Sequence, residues 1–435
     1  MAQRGSDHIQ RTLASVLPRR RIGAMARRLG VLQRRRKLDV VALVYTLVLG
    51  FSTGNRRTLA GLRRGYFRAT GVRLAPSSFH ARFTPQLTKL MRALAVGTVR
   101  QLAEHRPKLR AVFAPFIEVL AVDSSLLRLH DCLGDTYPSV WSNHTKAAIK
   151  LGAVVNVVNR GLKILTLTHG SRHDLHLLKP GAWMKGRLLV FDLAFYQTLL
   201  FKKIQHHGGY FLCRMKVSGN PIIIASHKPA HRNLVGRHLR DAQTQISGTV
   251  FDVLGSMTYM LRHKRRPFVT THDVQWRCVG LYNAESDQWH RYVTNMPPQM
   301  MKAEHVSAVY AARWEVELLF RELKSIYRIG SMPSGNKHVT ETLIYAALLS
   351  LSVSRALHQS MVHRYRLDPQ RLPFDRWAVL LAHVAEQLLD IALSRRSRAL
   401  PHRRIDRFLR SEAIDPNRAR NPLPFRVQEG LYRAS

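Results

Sequence analysis

Hydrophobic and polar positions change their period several times along this chain. From residue 38 to about 100 the apolar positions recur at helical spacing. "LDVVALVYTLVLGF" is a nearly continuous apolar run, and "TLAGLRRGYFRATGVRLAPSSFHARFTPQLTKLMRAL" reads as helices broken at Gly71 and Pro76, with Ser77 and Ser78 placed to cap the segment that follows. This pattern suits a helix-turn-helix unit and equally a bundle that packs on a core. At residue 117 the texture becomes β-branched and aliphatic. "IEVLAVDSS" and "IKLGAVVNVVNRGLKILTLTHG" predict strands, the second a hairpin that turns at Asn159, Arg160 and Gly161. "GRLLVFDLAFYQTLLFKKIQHHGGYFLCRMKV" predicts a strand, a helix over "LAFYQTLLFKKIQ", a stop at Gly208 and Gly209, and another strand, which is an α/β order. Strand-like pieces separated by basic loops occupy residues 216 to 290. From 303 to about 394 the pattern is helical again, including the apolar "TLIYAALLSLSVS" at 342 to 354.

Charge narrows what such a fold can act on. The 435 residues carry 69 Lys and Arg against 27 Asp and Glu, a formal net charge of +42. Residues 1 to 37 alone hold eleven basic residues and one acid, Asp7, with clusters at Arg19, Arg20, Arg21 and at Arg34, Arg35, Arg36, Lys37. That balance points to a polyanionic partner, and nucleic acid suits it better than a membrane surface, because lysine and arginine neutralise phosphates and release counterions. Neither apolar run crosses a membrane: the stretch ending at Phe51 is about 14 residues long against the ~20 required, and it contains Asp39. Cys132, Cys213 and Cys278 are odd in number and far apart, which fits a reducing compartment and neither a disulfide framework nor a cysteine zinc site. "HDLH" at 173 to 176 and "QHHG" at 205 to 208 lack a partner set for zinc.

In a chain this poor in acids, carboxylates beside apolar runs are informative. Asp123 and Asp192 each close a predicted strand, at the edge where α/β sheets place ligands; helix capping is the alternative for both. A third carboxylate lies in "YAARWEVELLFRELKSI", residues 310 to 326. Read as one helix, this segment puts Tyr310, Arg313, Glu317 and Lys324 within an arc of roughly 60°, with Glu315 and Glu322 some 120–140° away from Tyr310. A solvated charged face is the plain explanation of such a stripe. Phosphodiester cleavage supplies another, since two Mg²⁺ ions held by a few carboxylates activate the attacking oxygen and stabilise the leaving one.

Tyr310, Arg313, Glu317 and Lys324, at spacings of three, four and seven residues, resemble the Y-R-E-K signature of the insertion sequence 4 family of transposases. "VDSS" and "VFDLAFY" resemble its two aspartate motifs, and "YVTNMP" at 292 to 297 resembles the strand and turn before its signature helix; Leu193 stands where a basic residue often follows the second aspartate. The resemblance implies an α/β fold with a ribonuclease H-like catalytic core in two parts, 115–215 and 291–394. It also implies a β-rich insertion at 216–290 between the second Asp and the Glu; the basic helical region at 1–110, expected to bind DNA, and the basic tail at 395–435 lie outside the matching motifs and are read from charge and pattern. Asp123, Asp192 and Glu317 are then the catalytic and metal-binding triad for two Mg²⁺ ions, with Mn²⁺ able to substitute. Tyr310, Arg313 and Lys324 grip DNA phosphates, and Trp289, or alternatively Trp276, stacks on a flipped base. The expected activity is cut-and-paste transposition by a homodimer on double-stranded DNA, both terminal inverted repeats and target, through hairpin ends, in a bacterial cytoplasm at the nucleoid. A nuclease of the same fold that does not join DNA, and a non-catalytic DNA-binding relic, are the alternatives.

Overall fold

The computed structural model describes residues 8–32, 38–52, 57–103, 109, 111–140, 145–262, 269–330, 332, 334–394 and 399–416. The cluster Arg34 to Lys37 and residues 417–435 of the basic tail lie outside them. Six helices come first: α1 (His8–Val16), α2 (Arg19–Arg28), α3 (Val40–Ser52), α4 (Leu59–Thr70), α5 (Pro76–His80) and α6 (Pro85–Ala103). α3 is apolar on every side, which marks a helix buried all round. Thr58 caps α4 by accepting from the Gly61 N–H, and Gly71 ends it at φ 72°, a left-handed conformation that glycine adopts without strain. Ser77 and Ser78, expected as caps, lie inside α5 instead. Pro76 takes its first position, which puts the N-cap at Ala75, a residue with no side-chain acceptor.

The middle of the chain builds one nine-stranded sheet: β1 (Glu118–Arg128), β2 (Ala148–Asn156), β3 (Leu162–His169), β4 (Arg187–Phe191), β5 (Tyr210–Arg214), β6 (Ile222–Ser226), β7 (Val250–Arg262), β8 (Val269–Asn283) and β9 (Gln288–Thr294). The spatial order is β3-β2-β1-β4-β5-β9-β8-β7-β6. β1, β2 and β3 are antiparallel, β1, β4 and β5 run parallel, and β9 then joins antiparallel to β5. The β-rich stretch thus continues the same sheet. The hairpin turn at Asn159 to Gly161 forms as its sequence indicates, with Arg160 at φ 53°. α7 (Thr198–His206) starts later than the pattern suggested, because Leu193–Phe195 form a separate 3₁₀ turn that buries Phe195. α8 (Leu239–Ala242) lies in the β6–β7 connection.

Six more helices follow: α9 (Ala303–Ala311), α10 (Trp314–Ser325), α11 (Lys337–Tyr365), α12 (Phe374–His383), α13 (Ala385–Leu393) and α14 (Ala399–Glu412). α11 is nearly all buried from Val339 to His358 and packs on α1, α3, α6 and α12, so the N-terminal and C-terminal helices share one core around it. That mass lies on one face of the sheet. β1 shows how the period of two divides its side chains: Val119 and Ala121 face the helical core, while Leu120 and Val122 face a second core formed with α7 and the inner faces of β6–β9. No helix of the described residues is long and apolar enough to cross a membrane.

Candidate active site

Asp123 does not close its strand, as the pattern indicated, but sits in the middle of β1. The parallel pairing of β1 with β4 ends at Val122 and Phe191, whereas the antiparallel pairing with β2 runs on to Arg128. Asp123 therefore stands at the carboxyl edge relative to β4 while its own strand continues. Asp192 is the next residue after β4, so the two aspartates follow one another's register on strands about 5 Å apart. Asp192 occupies the N-cap of the Leu193–Phe195 turn, yet its side chain makes no capping hydrogen bond. Capping does not account for it.

The segment carrying Tyr310 and Glu317 is two helices rather than the single one expected. Around Ala312 and Arg313 the backbone bonds shorten to i→i+3 (Ala312 N–H to Val309 O, Arg313 to Tyr310, Glu315 to Ala312, Val316 to Arg313). A 3₁₀ turn advances about 120° per residue and brings positions i and i+3 into line, so Tyr310 and Arg313 are stacked. The Arg313 guanidinium lies 5.7 Å from the Tyr310 ring centre, and Tyr310 in turn packs on Tyr292 of β9 at 5.1 Å. Arg313 pairs with Glu317 at 2.7 Å and approaches Asp123 at 3.9 Å, bridging strand and helix.

An open cleft of about 530 Å³ separates β1 from α10, lined by Asp123, Ser125, Glu317, Arg321 and Lys324 among others. Asp123, Glu317 and Lys324 thus share one cleft, Arg313 reaches two of these through its contacts with Asp123 and Glu317, and Asp192 stands beside Asp123 in the sheet. Arg321 was not singled out from sequence, although its place four residues after Glu317 on the same helix face was a usable signal. Trp289 is half-buried against Phe251 and Tyr282, at 5.3 and 5.6 Å, three residues before Tyr292 on β9. Trp276, the other aromatic candidate, is a core residue: it is 2% exposed, packs on Phe201 and Phe211, and donates its indole N–H to Gln205. Asp174 of "HDLH" serves the opposite face of the sheet, accepting from Ser124 at 2.6 Å and pairing with Lys150 at 3.0 Å.

Electrostatics set this edge apart. Burial pushes the Asp123 carboxyl up to about 6; the Ser124 N–H and Arg313 oppose the rise, and the charges of Asp192 and Glu317 reinforce it. Tyr310 is raised to about 12, chiefly by burial. Lys324 is lowered by partial desolvation, against the pull of Asp123. Because Asp123 holds its proton more tightly folded than unfolded, its contribution to stability is full below about pH 4 and is lost as pH rises through about 6. Asp123→Asn should accordingly be more stable than wild type at pH 7 without divalent ions, by up to about 3 kcal/mol, and show no such advantage at pH 4. Denaturant melts at the two pH values check this; equal stabilities at pH 7 contradict it.

Among the described residues no three His, Cys, Asp or Glu side chains stand close enough together to hold a metal ion as they are. The donor chemistry of the edge nevertheless suits a hard divalent cation: Asp123 and Glu317 share the cleft and Asp192 is in register beside Asp123. Residues 114–353, more than half of the chain, match the sequence pattern of the family described as Transposase DDE domain. The chain is 20% identical over 383 residues to the transposase for insertion sequence element IS231D of Bacillus thuringiensis subsp. finitimus, covering 79% of each. It is 18% identical over 372 residues to that of IS231B of Bacillus thuringiensis subsp. berliner, covering 76% of this chain and 75% of the relative. These likenesses agree with the resemblance carried by the sequence motifs, and the chain belongs to the DDE-domain transposases.

Proposed function

We propose that this chain is the cut-and-paste transposase of an insertion sequence, with Asp123, Asp192 and Glu317 as its metal-binding triad. The observation that carries this reading is that Asp123 shares one cleft with Glu317 and Lys324, lies 3.9 Å from Arg313 and stands beside Asp192 in the sheet. Strand order β3-β2-β1-β4-β5, with three antiparallel strands and two parallel ones, supports a ribonuclease H-like core. Mg²⁺, or Mn²⁺ in its place, held by the triad supplies an activated water or 3′-hydroxyl and neutralises the departing oxygen. The chain's own cations do the rest. Arg313 and Lys324 bind the phosphates flanking the scissile bond, Arg321 extends that grip along the cleft, and Tyr310 holds Arg313 in place by stacking. The 3′ ends freed by cleavage are then joined to target DNA, by way of hairpin ends on which Trp289 stacks a flipped base, within a homodimer. A plasmid carrying the gene's own flanks, incubated with purified protein and Mg²⁺, should yield excised element, hairpin ends on denaturing gels and joined target products. Cleavage without joined products would reduce the reading to a nuclease.

The terminal repeats are read, in this proposal, by the helical unit before the sheet. Between Asp39 and Glu104 there are ten Lys and Arg residues and no acid. α4 exposes Arg64 and Phe67, the latter 49% exposed, and Arg73 is exposed just beyond. Arg57, ahead of α4, donates to the Ile326 carbonyl at the end of α10, so this unit adjoins the catalytic helix. Replacing Arg64, Phe67 and Arg73 together by Ala should weaken binding to the terminal repeats and lower its salt slope by about one unit per phosphate contact removed. Fluorescence anisotropy across a salt series measures both, and an unchanged slope would move the reading element elsewhere.

A further inference from the structure

We propose that Glu315 and Glu322, the two glutamates of α10 that point away from the cleft, are positioning residues for Glu317. With Arg160 and Arg355 they form a buried bracket that fixes the rotation of α10 about its own axis. The proposal rests on the reading of Glu317 as a metal ligand.

Glu315 is 1% exposed and Glu322 6%, in a helix whose neighbouring buried positions are apolar. Arg160, at the tip of the β2–β3 hairpin, grips Glu315 with two nitrogens: Nη2 donates to Oε1 at 3.0 Å and Nε pairs with Oε2. Arg355, buried in the middle of α11, pairs with Glu322. Both guanidinium groups meet the ring of Phe374 at the start of α12, Arg355 at 3.5 Å and Arg160 at 5.2 Å from its centre. His358 of α11 packs on the same ring at 4.4 Å and hydrogen-bonds the Leu372 carbonyl through Nε2. Two carboxylates, two guanidinium groups and one aromatic ring thus tie α10 to the sheet, the central helix and α12.

Stability alone does not call for this arrangement, because well-packed apolar residues commonly replace a buried ion pair at no net cost. What the charged groups add is direction. Contacts of Val316, Leu319 and Leu323 resist separation but are non-directional, whereas the two-pronged Arg160–Glu315 pair holds both distance and plane, and Arg355 adds one contact to Glu322, through Nη2, on the other side of Glu317. The geometric demand on α10 is tight. A rotation of roughly 20° about the helix axis carries a side-chain end at about 5 Å radius by nearly 2 Å, several times the ~0.5 Å within which a preorganised site must be held. Glu315 precedes Glu317 by two residues and Glu322 follows it by five, so the bracket grips the back of the helix on either side of the residue it orients. It also begins within the i→i+3 turn around Arg313, where the chain passes from α9 into α10.

The test uses the full chain with paired apolar replacements: Glu315→Leu with Arg160→Met, and Glu322→Leu with Arg355→Met. Thermal melting, calorimetric titration with Mn²⁺ alone, and kcat and KM for cleavage of terminal DNA are read together. The expected result is a melting temperature close to wild type with Mn²⁺ affinity reduced about 10–100-fold, the range seen when groups that orient metal ligands are removed, and with kcat lowered at unchanged KM. Wild-type Mn²⁺ affinity in a folded paired variant overturns the proposal. Should the paired variants not fold, Arg160→Lys keeps the charge and loses the fork, and the same two outcomes apply to it. Glu317→Ala separates the two layers of inference. If it binds Mn²⁺ like wild type, the reading of Glu317 fails; if it loses Mn²⁺ while the bracket variants keep it, only the bracket fails.

Discussion

Glu317→Ala is expected to bind its terminal DNA as wild type does and to cut none of it. The substitution removes a carboxylate from the cleft shared with Asp123 while leaving Lys324 and Arg321 on the helix. It also releases Arg313 from its 2.7 Å pair, which frees that guanidinium for phosphate. Binding should therefore be unchanged or slightly tighter. The loss of rate should exceed the roughly 10²–10³-fold that follows removal of a single transition-state donor, because the metal that Glu317 is proposed to hold would serve the attacking and the leaving oxygen together. Single-turnover cleavage of labelled terminal DNA, beside a gel-shift titration, measures both quantities. Cleavage within tenfold of wild type would remove Glu317 from the triad, and lost binding would show that the residue holds the fold or the DNA instead.

The largest expected effect on stability lies away from the cleft. Arg277 of β8 is 3% exposed and forms a two-pronged pair with Asp252 of β7 at 2.8 and 2.7 Å, while its Nη1 donates to the carbonyls of Met296 and Met301. One guanidinium thereby joins the far half of the sheet to the turn that launches α9 and Tyr310. Arg277→Met leaves a buried carboxylate and two carbonyls without it, at a cost of about 3–5 kcal/mol, about a fifth or more of the stability of a typical chain. A fall in melting temperature of about 3–6 °C should follow. The double variant Arg277→Met with Asp252→Leu should regain most of it, since the uncompensated charge is then gone. A single variant that melts with wild type would mean that water or a neighbouring group satisfies Asp252.

Much of this architecture is legible in local pattern. The α3 and α11 runs read as buried helices because their apolar residues cover every face, the β2–β3 turn is marked by Asn159 to Gly161, and acids are so scarce that Asp123, Asp192 and Glu317 stand out. Other features are invisible at that level. Ala312 and Arg313 are both good helix formers, so nothing local announces a break there; the i→i+3 turn accompanies the contacts of Arg313 with Asp123 and Glu317 and of Tyr310 with Tyr292. Trp276 and Trp289 have similar strand surroundings, and only packing against α7 separates the core residue from the half-buried one.

By itself the sequence determined the kinds of element, the strong net positive charge and the side-chain types available at the cleft, because periodicity, net charge and side-chain type are local or additive properties. Tertiary structure decided which strand edge Asp123 shares with Asp192, where the helix of Glu317 breaks, and what becomes of Glu315 and Glu322. Those outcomes depend on partners distant along the chain: β4 ends 69 residues after the match point on β1, and the arginines that hold α10 come from positions 160 and 355. Direction in a buried ion pair is a property of both partners at once, and the two are brought together only when the sheet and the central helix have packed.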